Sequence, residues 1–128
     1  MLKANFITAQ EAAEKIQDGS ILCTIGMTLV SASESILKAI EKRFETVGHP
    51  ADITLVHSCG QSDRKDGIQH LAHEGLVKRI VGSHWGLQPR WMEMIANSQV
   101  EAYCLPQGQI AQLYRSMACG LPGKMSKV

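Results

Sequence analysis

This 128-residue sequence has no excess of one charge, few aromatic side chains, no paired-cysteine motif and no long apolar run. Thirteen basic residues against twelve acidic ones leave a net charge of +1, which provides no electrostatic footprint for a nucleic-acid backbone or an anionic membrane surface. Aromatic residues make up 5% of the chain, too few for a base-stacking platform. Cys23, Cys59, Cys104 and Cys119 are scattered with no CxxC spacing. Cys23, Cys59 and Cys104 lie in or beside apolar runs, so they read as small reduced hydrophobes of a cytoplasmic protein. No stretch approaches the ~20 apolar residues of a membrane span, and the opening residues lack the apolar segment of a signal peptide. Neither GxGxxG nor GxxxxGK[ST] occurs, so no known phosphate cradle is spelled out. No repeat, linker or low-complexity segment divides the chain.

The ordinary balance of 45% hydrophobic and 20% charged residues suits one globular domain. At this length a domain buries roughly 68% of its unfolded surface and needs no metal or disulfide to fold. Thr8 with Glu11, and Ser31 with Glu34, read as capping boxes opening two helices. Gly19 would end the first helix, and Gly48 the second. The second carries Ile36, Leu37, Ile40, Phe44 and Val47 on one face. Ser20 to Ile25 reads as a buried strand; Ile53 to Val56, Val77 to Val81 and Val100 to Leu105 are further strands. A short helix is expected from Ile68 to Glu74, and another after Pro89 that packs through Trp91, Met94 and Ile95. A last helix presents Ile110, Leu113 and Met117 and ends at Gly120. Strands alternating with helices predict an α/β fold: an open, mostly parallel sheet flanked by helices, in a Rossmann-like three-layer arrangement.

In such sheets ligands gather at the carboxyl ends of the strands. Each strand here runs into a glycine-bearing turn: Thr24 to Thr28 around Gly26, His57 to Gln61 around Gly60, Gly82 to Gly86, and Pro106-Gln107-Gly108. Side by side they would make a crevice floored by backbone amides and fringed by Ser58, Gln61, His84 and Gln107, suited to a carboxylate or thioester carbonyl. Taken singly, each glycine is equally ordinary turn chemistry. Gln107 is the best single candidate, because an uncharged amide can donate to a substrate oxygen, though a glutamine leading a helix would look the same. His84 is either a general base or, the reading preferred here, a histidine packed on Trp85 and bonded to backbone. His70, His73 and Glu74 fall three or four apart, but with no third ligand at a recognisable spacing they read as a solvated helix face rather than a metal site. No metal is expected.

Gly75-Leu76-Val77-Lys78-Arg79, preceded by His73-Glu74, then Gly82-Ser83-His84-Trp85-Gly86 and Leu105-Pro106-Gln107-Gly108, resemble the α half of family I coenzyme A transferases. Phe6-Ile7-Thr8-Ala9, Glu11-Ala12-Ala13 and the Gly26-Met27-Thr28 turn fit the same opening. The likeness runs from about Phe6 to Val128 and is nearest to acetyl-CoA:acetoacetyl-CoA and propionate transferases. It implies that residues 1–128 are the amino-terminal part of an α domain. It also implies ping-pong transfer of CoA between a short-chain acyl-CoA and a carboxylate through a glutamyl-CoA thioester. The expected substrate-binding residues are Gln107, Gly108, Ser58, Gly60 and Gly26; Ser58 stands where relatives often carry asparagine. The nucleophilic glutamate belongs to the family's β half, and no glutamate here matches it, so the chain by itself is expected to be inactive. Coenzyme A would be a substrate, with no permanently bound cofactor. The partners would be the acyl-CoA, the carboxylate and the missing remainder or β subunit, in a homo- or hetero-oligomer, with no nucleic acid and no membrane. Two other classes stay open: a non-catalytic binding or assembly module, and a sugar-phosphate isomerase of related fold.

Overall fold

The computed structural model describes residues 4–127; residues 1–3 and Val128, the ends of the expected domain, lie outside them. Helix α1 (Ala9–Glu14) begins as expected: Thr8 accepts from the Glu11 amide and the Glu11 carboxylate reaches back to the Thr8 amide. It stops at Lys15 rather than Gly19, whose positive φ of 70° serves the turn into β1 (Ile21–Thr24). Helix α2 (Glu34–Val47) closes on Gly48 in the left-handed conformation. Its amino end departs from the expected Ser31–Glu34 box. Ser33 occupies the cap without a side-chain bond, and the Glu34 carboxylate turns to the Gly67 amide instead.

Strand β2 (Ile53–His57) leads through a loop to a single 3-10 turn, Gly67–Leu71, shorter than the helix expected to reach Glu74. Then come β3 (Val77–Gly82), α3 (Pro89–Ala96), β4 (Glu101–Cys104) and α4 (Gln107–Ala118), which ends before Gly120. All neighbours in the sheet pair in parallel, in the order β1-β2-β3-β4, so β1 and β4 form its edges.

Register sorts the side chains. Leu22, Leu55, Ile80 and Ala102 lie across from one another on one face, and this face packs on Leu37, Ile40, Trp91 and Met94 from the helices. A bulge between β2 and β3 admits one extra residue, which turns both Val77 and Ile80 into the core while Lys78 and Arg79 point outward. Trp91 is fully buried and donates through its indole nitrogen to the Ile68 carbonyl at 2.9 Å, so the largest core side chain leaves no polar atom unpaired. The other face carries Cys23, Val56, Val81 and Tyr103. Among the described residues α4 lies over it: Leu113 shares a hollow with Arg79, Val81, Tyr103 and Leu105, and Ile110 is fully buried.

This partial cover corrects two expectations. Strand β1 is an edge whose Ile21 is 63% exposed, not a buried strand. Cys23 and Cys104 are exposed free thiols rather than packed hydrophobes. Val47, expected on the packing face of α2, is also exposed, because the core ends one turn earlier at Phe44. Among the described residues no helix is long and apolar enough to cross a membrane.

Candidate functional site

Parallel strands in sequential order bring all four carboxyl ends to one edge. Thr24 lies opposite His57, and Gly82 opposite Cys104, so the four turns that follow are neighbours. Hydrogen bonds stitch them together. Thr28 N donates to Gly60 O at 2.8 Å, Leu105 N to Gly82 O at 2.9 Å, and the Ser83 hydroxyl donates to Ser58 O. Gly26, at φ 148°, could carry no side chain, since a Cβ there would stand 2.8 Å from Val30 O.

Much of the expected amide floor is already occupied. Gly60 N donates to His84 Nε2 at 3.2 Å, so the His84 ring serves the backbone as expected. Gly86 N points at His84 Nδ1 at 3.3 Å, but a neutral ring that accepts at Nε2 carries its own N–H there and cannot take this amide as well. Trp85, the expected packing partner of His84, turns elsewhere. His84 is exposed, and Trp85 donates instead to His57 Nε2 at 3.1 Å, the rings meeting edge-on. His57 is buried with Nδ1–H donating to Cys59 O at 2.9 Å, so its neutral tautomer is satisfied at both nitrogens. Burial first, and the nearby His84 second, push its pKa down to about 4, against the pull of the Cys59 carbonyl. A Cβ on Gly82 would meet this ring at 2.1 Å, which explains glycine at the end of β3.

Gln61 is likewise corrected. It is fully buried rather than fringing the crevice, and its Nε2 donates to Thr24 O at 2.9 Å. Gln88, buried beside it, accepts from Gln61 N at 2.9 Å and donates to His84 O at 3.2 Å when its amide is oriented to satisfy both. These two amides tie three of the four turns into one rigid block.

The first turn of α4 leaves backbone donors free at this edge. Pro106 caps α4 without a side chain that can accept, and among the described residues nothing takes the amides of Gln107 and Gly108. Both residues are exposed, and among the described residues the Gln107 side chain makes no hydrogen bond and nothing lies within 4 Å of where a Gly108 Cβ would be. The amino end of a twelve-residue helix therefore presents two amides, its partial positive charge and a free carboxamide to solvent. Ser58 is half-buried in the adjoining turn, Gly60 is buried behind it and Gly26 is half-buried on the flank.

Tyr114, which sequence reasoning missed, lies seven residues beyond Gln107 on α4 and donates to Thr24 O at 3.0 Å. Burial, with Cys23 nearby, pushes its phenol up to about 12, so it stays protonated as a strut between α4 and β1. The two-turn spacing was the only available signal. A 540 Å³ hollow lined by Asp52, Gly75, Lys78, Gln99 and Glu101 opens at the opposite, amino edge of the sheet, away from all these groups.

His70 and His73 do not form a solvated face. Both ring nitrogens of His70 meet carboxylates, Nδ1 that of Glu41 and Nε2 that of Glu34 at 2.8 Å, while His73 Nε2 meets Glu41 at 3.0 Å. Lys38 Nζ stands 3.0 Å from Glu34 and 3.3 Å from Asp66, so a fixed cation already neutralises the oxygens that could have completed a metal site with His70. The partners come from 29 and 36 residues away, which no local spacing reveals.

The family model described as coenzyme A transferase matches residues 6–128. Caffeate CoA-transferase of Acetobacterium woodii is 36% identical over 98% of this chain, which spans 24% of that relative. Acetate CoA-transferase YdiF of Escherichia coli K12 is 33% identical over 95% of this chain, with 23% of its own length covered. The crystal structure of acyl-CoA transferase YdiF from E. coli O157:H7, described as a thioester complex with CoA, superposes with a TM-score of 0.86 at 32% identity, covering 95% of this chain and 26% of that one. The chain therefore spans about a quarter of the length of these relatives.

Proposed function

The chain belongs to the coenzyme A transferase family, and on that premise we propose that residues 1–128 form the amino-terminal part of its α domain and hold the carboxylate end of the substrate. The observation that carries this is the open amino end of α4, where two unpaired amides and the unbonded Gln107 side chain stand beside the four strand-end turns. A carboxylate or thioester oxygen there would accept from Gln107 and from the Gly108 amide, with Ser58 as a further donor. Gly60 and Gly26 would shape the wall, because a side chain on either would strike His84 or Val30.

The reaction we assign to the complete enzyme keeps an activated acyl bond, thioester or anhydride, at each step. A glutamate outside these residues attacks the acyl-CoA carbonyl and expels CoA thiolate, leaving an acyl-glutamyl anhydride. The thiolate then attacks the glutamyl carbonyl, releases the first carboxylate and leaves glutamyl-CoA. A second carboxylate reverses the sequence. In both halves the carbonyl oxygen gains negative charge, which preorganised donors such as the α4 amides stabilise. Coenzyme A enters as a substrate. The acyl group is short-chain: acetyl, acetoacetyl or propionyl. Relatives named for carboxylates as unlike as caffeate and acetate fit a site that grips only the shared carboxylate end.

The partner is the remainder of the enzyme, on the same polypeptide or as a second subunit of an oligomer. Assayed with acetyl-CoA and acetoacetate, this chain should show no turnover by itself. Combined with the remainder it should restore ping-pong kinetics, and Gln107→Ala should then cut activity by roughly a hundredfold to a thousandfold, as expected for one lost oxyanion donor. Turnover by the isolated chain, or a Gln107→Ala enzyme of undiminished kcat/KM, would refute the assignment.

A further inference from the structure

Histidine 70 lies outside the transfer site, and its surroundings are unusual for a neutral imidazole. A neutral ring has one N–H donor and one lone pair, so it can satisfy only one acceptor. Here both nitrogens face carboxylates, Glu41 on one side and Glu34 on the other, with Asp66 Oδ1 at 3.3 Å from the second nitrogen. Only an imidazolium, a donor at both positions, fits this geometry. Glu34 and Glu41 are seven residues apart on α2, two helical turns, so they form the jaws of one face.

The surrounding charges favour the proton. Facing the ring are Glu34, Glu41 and Lys38 from α2, Asp66 from the preceding loop, His73 beyond the 3-10 turn and Arg90 from α3, 3.6 Å from Glu41; Glu45 lies beside Glu41 and His73. Four carboxylates thus meet two permanent cations, and a charged His70 reduces the excess. Burial works against the charge, but the hydrogen bonds with Glu34 and Glu41 outweigh it and hold the His70 pKa above its ordinary value.

The clamp is wired to the turn described above. Besides His70, Glu34 accepts from Gly67 N at 2.9 Å; the next amide, Ile68 N, donates to Gln61 O at 2.9 Å. Gln61 in turn holds Thr24. The packing is too close to slip: a Cβ on Gly67 would stand 2.0 Å from Gln61 O.

We propose that His70, gripped as an imidazolium between Glu34 and Glu41, is a proton-operated clamp that docks segment 61–71 on α2, and that loss of its proton releases this segment and loosens the Gly60–Gln61 turn. The clamp stands on this chain's own contacts. Its effect on CoA transfer rests on the function proposed above, so the test uses neither substrate nor turnover.

Labelled chain is titrated by NMR while amide exchange of Gly67 and Ile68 is followed, corrected for base catalysis. His70 should titrate above 6.5, the ordinary histidine value, with both ring N–H protons observed below its midpoint. Across that midpoint the protection of Gly67 and Ile68 should fall by about tenfold for each unit by which the His70 midpoint exceeds the ordinary value, while Leu55 and Ile80 in the sheet hold theirs. In His70→Gln, which cannot titrate, that step should vanish. If this variant fails to fold, Glu41→Gln keeps the question decidable: it should lower the His70 midpoint and shift the exchange step with it. A midpoint at or below the ordinary value, or protection that ignores the titration, would overturn the clamp.

Discussion

Two histidines of one chain are held in opposite charge states, and the contacts at each ring nitrogen decide which. His57 donates from Nδ1 to a carbonyl and accepts an indole N–H at Nε2, so a second proton would point at a donor. His70 meets carboxylates on both sides and requires that proton. For His57, folded and unfolded rings are both neutral above pH 6.5. As the pH falls from there toward its folded value of about 4, the unfolded chain takes up a proton that the folded chain refuses. Stability should therefore drop by about 3 kcal/mol over that interval. Urea unfolding near neutrality and near pH 4, for wild type and His57→Asn, checks this: the variant should lose less on acidification. Equal losses would show that the fall belongs to other groups. His70 acts in the opposite sense. Its contribution is fully present below 6.5 and is lost as the pH rises through its raised folded value.

At the level of elements, the helix ends are informative because one carries signal in its sequence and another does not. Thr8 and Glu11 spell a capping box and form one; Gly48 marks the end of α2 and sits there in the left-handed conformation. Replacing Gly48 by Ala should cost about 1 kcal/mol through that conformation alone, since nothing lies within 4 Å of the new methyl. Thermal unfolding reads this directly, and an unchanged midpoint would mean that the α2 terminus is frayed in solution. Ser31 and Glu34 spell the same box as Thr8 and Glu11 but do not form it. Glu34 is worth more to the fold where it accepts from Gly67 and clamps His70. A local motif yields when a tertiary partner offers a charged contact. The amino end of α4 shows the converse, an uncapped helix start that leaves donors free at the edge where a ligand would need them.

Over the whole molecule, one sheet face is packed and the other is mostly open. Ile21, Cys23 and Tyr103 are exposed there, both edge strands lack partners among the described residues, and Ile25, Met27 and Val30 add apolar surface beside β1. Unpaired edges and bare apolar faces seek cover. The isolated chain should therefore self-associate as its concentration rises in sedimentation velocity, and Ile21→Lys, which charges the β1 edge, should weaken this without unfolding the domain. A wild-type chain that sediments as a monomer at every concentration would show that α4 covers the face well enough.

The alternation of apolar runs and glycine turns, legible in the sequence, determined the parallel α/β fold, its strands to within a residue or two and the edge carrying Gln107 and Gly108, because periodicity and turn chemistry are local properties. What only the tertiary structure decided was which groups are already spent: Gly60's amide on His84, Gln61 within the core, Glu34 and Glu41 on His70, and Trp85 on His57. Those partners lie 24 to 37 residues apart in the chain, and strand order and register, not spacing, bring them within hydrogen-bond reach.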